Sequence, residues 1–95
     1  MRILHLHVKK KYFEQIKSGE KTHEYRLANP YWTKRLVYDV EPELVIVYCG
    51  YPKKTDSSKV LIFPYTGVIT IANFRHPEFG EKPVKVFAIR LQEGA

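Results

Sequence analysis

Residues 44–49, Leu-Val-Ile-Val-Tyr-Cys, form an unbroken apolar run that is rich in β-branched side chains. Six residues are too few for a buried helix and suit a strand. A strand with no polar alternation is expected to be buried on both faces. Glu41-Pro42-Glu43 bounds it on one side, and the Gly50–Ser58 stretch, with Gly, Pro, Lys, Asp and Ser, reads as a loop on the other. Something must cover both faces. A chain of 95 residues has room for only one core, so residues 1–95 are expected to form a single domain.

The covering elements are visible along the rest of the chain. Leu4, Leu6 and Val8 alternate with His5 and His7, the period of a half-buried strand. From Lys9 to Ser18 the period changes: Val8, Tyr12, Phe13 and Ile16 fall near one helical face, and Gly19 follows as a helix stop. Thr22 to Leu27 reads as a strand. Asn29-Pro30 breaks the chain, and Tyr31 to Tyr38 fits either a short helix or an irregular segment. Lys59–Phe63 and Thr66–Phe74 read as strands, with a bend or bulge at Pro64–Gly67. Val84, Val86, Ala88 and the stretch to Leu91 close the sheet. Strands that mostly follow one another without helices imply an α+β fold with a curled or closed sheet of five or six strands.

Charge narrows the function. Sixteen Lys and Arg stand against ten Asp and Glu, a formal net charge of +6. Such a surplus suits a phosphate-bearing partner, although it also serves solubility alone. The single cysteine, Cys49, excludes an internal disulfide and fits a reducing compartment. There is no signal-peptide pattern and no apolar run of membrane-spanning length. A cytoplasmic protein without a membrane or cofactor is expected, of unspecified oligomeric state.

Lys9, Lys10 and Lys11 open the first helix without a Ser, Thr, Asp or Asn cap. Cations are mildly unfavourable at that end. Free backbone N–H groups beside ammonium groups suit a phosphate; solvated lysines whose stems cover apolar surface are the plainer explanation. In Gly19-Glu20-Lys21-Thr22-His23-Glu24-Tyr25-Arg26, strand alternation places Thr22, Glu24 and Arg26 on one face, with Lys21 at the turn. A carboxylate between two cations accepts hydrogen bonds from a base or amine, and the arginine fork suits phosphate. An ion pair that fixes the helix-to-strand turn explains Glu24 and Arg26 equally well.

This segment resembles the signature of the ASCH domain family: a glycine, a lysine two residues on, then glutamate and arginine separated by one residue. Those positions are Gly19, Lys21, Glu24 and Arg26. Tyr12–Ser18 looks like the helix that leads into the motif. The resemblance implies a small PUA-like mixed β-barrel with one main helix and a short second one. It also implies a role in RNA metabolism, with a cleft near the motif that binds RNA or a modified nucleotide. Some members are enzymes. One branch hydrolyses N4-acetylcytidine with a lysine, a threonine and a glutamate, and another member is described as a ribonuclease. Lys21 matches the lysine of the amidohydrolase branch. Its threonine, three residues on, is Glu24 here, and Thr22 occupies a different place on the strand. Glu78 and Glu81 are placed in a loop, with no alignable later acid. In an enzyme, Lys21 and Glu24 are the expected catalytic pair, with Glu24 activating a water.

The expected RNA- or nucleotide-binding residues are Lys9, Lys10, Lys21, Thr22, Glu24, Arg26 and Trp32. Trp32 lies among Lys34 and Arg35 and is the best ring for stacking on an unpaired base; Tyr25, Tyr31 and Tyr51 are others. Packing is the competing use of these aromatics. Arg75 and His76 end a strand from which they reach toward the same cleft. Lys53, Lys54 and Lys59 extend a basic path or form a solvated loop. His5 and His7 point the same way, but their spacing matches no standard zinc site, and no metal is expected.

Overall fold

A computed structural model describes residues 1–91. Six strands form two three-stranded sheets. The first sheet has the order β1 (Ile3–Val8), β3 (Leu44–Cys49) and β4 (Val60–Pro64), with β1 parallel and β4 antiparallel to β3. The second has the order β2 (His23–Leu27), β6 (Val84–Arg90) and β5 (Val68–Phe74), antiparallel throughout. The α+β class and six strands match expectation, but among the described residues the ladders do not close into one barrel. The split occurs at the Pro64–Gly67 corner. Pro64 ends β4 without an N–H to extend the ladder, and Gly67, at φ +113°, turns the chain toward the other sheet.

The core fills the space between these layers. Leu4, Leu6 and Val8 of β1, Val45 and Val47 of β3, and Phe13 and Ile16 of the main helix pack with Phe63, Ile89 and Leu91. The alternation in β1 holds, with the histidines off the core face. The strand expected to be covered on both faces, β3, is not: only Val45 and Val47 are buried, because its outer face carries Ile46 beside exposed His5 and Ile62. Double-sided burial falls instead to β6, where Val86, Phe87, Ala88 and Ile89 are all buried between β2 and β5.

Helix α1 (Lys10–Lys17) starts at Lys9 with no side-chain cap and stops at Gly19, whose φ is +84°. The Gly19 N–H bonds the Ile16 carbonyl at 3.1 Å and the Lys21 N–H bonds the Gln15 carbonyl at 3.0 Å. This turn fixes where Lys21 leaves the helix and β2 begins. Residues 30–38 are helical throughout, one turn of α-helix, α2 (Pro30–Thr33), passing into a π-helical turn, Lys34–Tyr38. Asn29-Pro30 is therefore a helix start as well as a break. The Asn29 side chain accepts from the Trp32 N–H at 2.9 Å, and Pro30 sits where its missing N–H costs nothing.

Candidate functional site

A cleft of about 200 Å³ opens where the N-terminal end of α1 meets β2 and the turn after β5. It is smaller than the roughly 300–1,000 Å³ usual for drug-sized ligands, so it suits a single ring or a small polar group. Glu24 lies at its floor and is 7% exposed, the buried charged residue of the core region. Both carboxylate oxygens are engaged. Oε1 meets the Lys21 ammonium at 3.1 Å and accepts from the Tyr25 N–H at 3.1 Å. Oε2 accepts from Arg26 Nη2 at 3.1 Å. The same Nη2 donates to the His7 carbonyl at 3.0 Å, tying β2 to β1 across the gap between the sheets.

Aromatic rings hold both cations in place. Lys21 Nζ sits 4.3 Å from the Tyr12 ring centroid and 5.5 Å from that of Tyr25. The Arg26 guanidinium lies 5.2 Å from the Trp32 ring. Such contacts are worth about 0.5–2 kcal/mol each, more as water is excluded. Strand β2 is a sheet edge, and this lets neighbours on opposite faces, Glu24 and Tyr25, border one cleft.

The far wall comes from a part of the chain more than fifty residues away. Strand β5 carries an irregularity between Ile71 and Phe74, with Asn73 at φ 56°. The kink aims Phe74 at Tyr25, their ring centroids 4.4 Å apart, and delivers His76 and the 3₁₀ turn Pro77–Phe79 to the cleft mouth. The Glu78 carboxylate there takes the Lys9 ammonium at 2.9 and 3.0 Å and the Tyr12 hydroxyl at 3.2 Å.

The Lys9–Glu78 latch responds to pH. The lysine hydrogen bond holds the Glu78 carboxyl below the ordinary carboxylate range, and the same bond holds Lys9 above the ordinary lysine value. Burial, then the hydrogen bond to Glu78, raises the Tyr12 phenol. Glu78's share of the latch is complete above the ordinary glutamate value and is lost as pH falls through its own depressed value. Lys9's share is complete below the ordinary lysine value and is lost as pH rises through its raised one. A ¹³C titration of the Glu78 side chain is expected to show a midpoint below that of an ordinary glutamate, returning toward it in Lys9→Met. An unchanged midpoint in the variant contradicts the latch.

Of the residues singled out in the sequence, Lys9, Lys21, Glu24 and Arg26 converge on the cleft, joined by Tyr25 and His76. Lys10 is exposed on α1 outside the lining. Thr22 also lies outside it. It precedes β2, so strand alternation does not reach it, and its hydroxyl pairs with His23 Nδ1 at 3.0 Å. Trp32 packs against the core with Arg26 over its ring, so it braces the cleft from behind. Arg75 reaches the Glu81 carbonyl instead of the cleft. His5 and His7 bond the Tyr48 hydroxyl and the Gly50 carbonyl, both at 2.8 Å.

Tyr12 and Glu78 were not anticipated as cleft residues. Tyr12 stands three residues after Lys9, one turn along the same helix face, a spacing that signals a shared surface. Nothing local in the sequence announces that Glu78 meets Lys9. The lining holds three cations, Lys9, Lys21 and Arg26, and two carboxylates, Glu24 and Glu78, and every cation has a carboxylate partner. The positive charge within the cleft is thus largely neutralised internally.

No curated protein and no solved structure matches the chain. The family model described as ASCH domain matches residues 6–51, from β1 through the Gly19–Arg26 motif and β3 to the turn beyond it. The match covers just under half of the chain and contains most of the cleft floor, and over that stretch the chain is similar to the ASCH domain family.

Proposed function

We propose that this protein is an RNA-binding module of PUA-like type, and that its cleft accepts one unpaired or modified base. The observation that carries this reading is the Lys21–Glu24–Arg26 cluster lying at the floor of a cleft walled by Tyr12, Tyr25, His76 and Phe79. Ring faces offer stacking to any base. A fully engaged carboxylate flanked by donors offers a fixed pattern to a base edge. Because the cleft cations are paired, recognition there falls to the base, while phosphates are met by exposed lysines of the rim such as Lys10 and by Lys9 when its latch opens. The likeness of residues 6–51 to the ASCH domain family supports a role in RNA metabolism in the same direction.

The test is fluorescence anisotropy with a labelled cytidine hexanucleotide from 20 to 300 mM salt. Binding at low salt that weakens as salt rises is expected, because each neutralised phosphate releases counterions. No binding at the lowest salt sinks the reading.

One observation favours a second reading, a small hydrolase acting on RNA or a modified nucleoside. Glu78 brings a second, ionised carboxylate to the cleft that holds Lys21, and once Lys9 releases its two oxygens it is free to act as a general base. Glu24 stands where the amidohydrolase branch places a hydroxyl, and the lining contains no Ser, Thr or Cys. A time course with N4-acetylcytidine separates the readings. Release of cytidine by the wild type but not by Lys21→Ala establishes the hydrolase; no release leaves the binding module.

A further inference from the structure

Outside the cleft, four rings stand in a row along the open face of the first sheet. His5 and Tyr48 have centroids 5.8 Å apart, Tyr48 and His7 4.6 Å, and His7 and Tyr51 4.2 Å. The planes of successive rings differ by 21°, 14° and 15°, so the row is stacked throughout. The β1–β3 register produces it, because His7 lies opposite Tyr48. Hydrogen bonds fix both histidines. His5 Nδ1 meets the Tyr48 hydroxyl, and His7 Nδ1 donates to the Gly50 carbonyl, each at 2.8 Å.

Tyr51 reaches its place through a specific turn. Gly50 follows β3 at φ +63°, a conformation that favours glycine, and its N–H bonds the Val8 carbonyl at 2.8 Å. The chain doubles back there and lays Tyr51 on His7. Yet Tyr51 is 88% exposed. A large ring held by a turn and stacked on His7 on one side leaves its other face open to a further ring. His7 lines the cleft, so the row meets the candidate site at that residue. Lys53 and Lys54 follow in the same loop and are exposed.

We propose that Tyr51 is a stacking ledge for a second nucleotide, so that the ligand is a single-stranded oligonucleotide running from the cleft past His7 onto Tyr51. The inference rests on the RNA-binding reading and deepens it from a lone base to a strand. An unpaired base has a face to offer Tyr51, whereas duplex bases are already stacked on each other. Lys53 and Lys54 lie where the strand's phosphates pass the ledge.

The experiment compares two probes, cytidine 5′-monophosphate and a single-stranded cytidine hexanucleotide, on wild type, Tyr51→Ala and Tyr51→Phe. Wild type is expected to bind the hexanucleotide more tightly than the monophosphate. Tyr51→Ala weakens the hexanucleotide about ten-fold and leaves the monophosphate within two-fold, because stacking on one base is lost. Tyr51→Phe keeps the ring and restores hexanucleotide binding. If Tyr51→Ala changes neither probe, the ledge is refuted while the cleft reading stands. If it weakens both equally, Tyr51 belongs to the cleft and no second position exists. If the wild type binds neither probe, the cleft reading and the ledge fall together. Tyr51 lies outside the core, so all three proteins are expected to fold.

Discussion

Replacing Glu24 by alanine is expected to lower the melting temperature by about 10–20 °C, from a loss of about 2–3 kcal/mol in a domain of this size. The loss does not come from the salt bridges as such. Glu24 is nearly buried, and its partners Lys21 and Arg26 have side chains only 13% and 23% exposed. Removing the carboxylate leaves two poorly hydrated cations facing each other and the Tyr25 N–H without its acceptor. Arg26 Nε is already buried without a hydrogen-bond partner, so the arginine has little reserve. The partial exposure of both cations keeps the figure below the roughly 3–5 kcal/mol typical of a broken buried pair. A triple variant, Lys21→Met with Glu24→Leu and Arg26→Met, is expected to melt close to wild type, because no charge is then stranded. Thermal denaturation followed by circular dichroism reads both. A triple variant as unstable as Glu24→Ala would mean that the cluster holds the fold by geometry rather than by charge balance.

Lys21→Ala separates function from folding. Glu24 keeps Arg26 and the Tyr25 N–H in this variant, so about 1 kcal/mol of stability is at stake. The cleft, however, loses the ammonium that stands over Tyr12 and Tyr25. Affinity for the cytidine hexanucleotide is expected to fall at least ten-fold, while Lys85→Ala, an exposed lysine of β6 away from the cleft, changes it less than two-fold. Equal losses in the two variants would reduce the interaction to diffuse attraction between a protein of net charge +6 and a polyanion.

Much of the cleft floor was legible because its parts are close in the chain. The two-residue strand period puts Glu24 beside Arg26, and the Gly19 turn puts Lys21 within reach of both. The β1 alternation and the helical face bearing Phe13 and Ile16 were visible for the same reason. What escaped depends on pairing between distant segments. The Lys9–Glu78 contact spans 69 residues and rests on a kink in β5 that Asn73 does not advertise. Apolar content alone favoured β3 as the doubly buried strand, but β6, with Lys85 among its residues, took that place because β2 and β5 flank it and the core covers it. Trp32 looked like a free stacking ring, since its sequence neighbours are basic; its partner, Arg26, lies on another element. Tyr51 was visible as an aromatic in a loop, but its place on His7 follows from the β1–β3 register and the Gly50 turn.

RNA is proposed to bind in the cleft between α1, β2 and the 77–79 turn. A ¹⁵N–¹H correlation titration with the cytidine hexanucleotide tests it most directly. Saturable shifts are expected at His7, Lys9, Lys21, Glu24–Arg26, His76, Glu78 and Phe79, extending to Tyr51, while β4 and the exposed face of β5 stay unmoved. Shifts confined to β4 and β5, or no saturable shift at low salt, would contradict it.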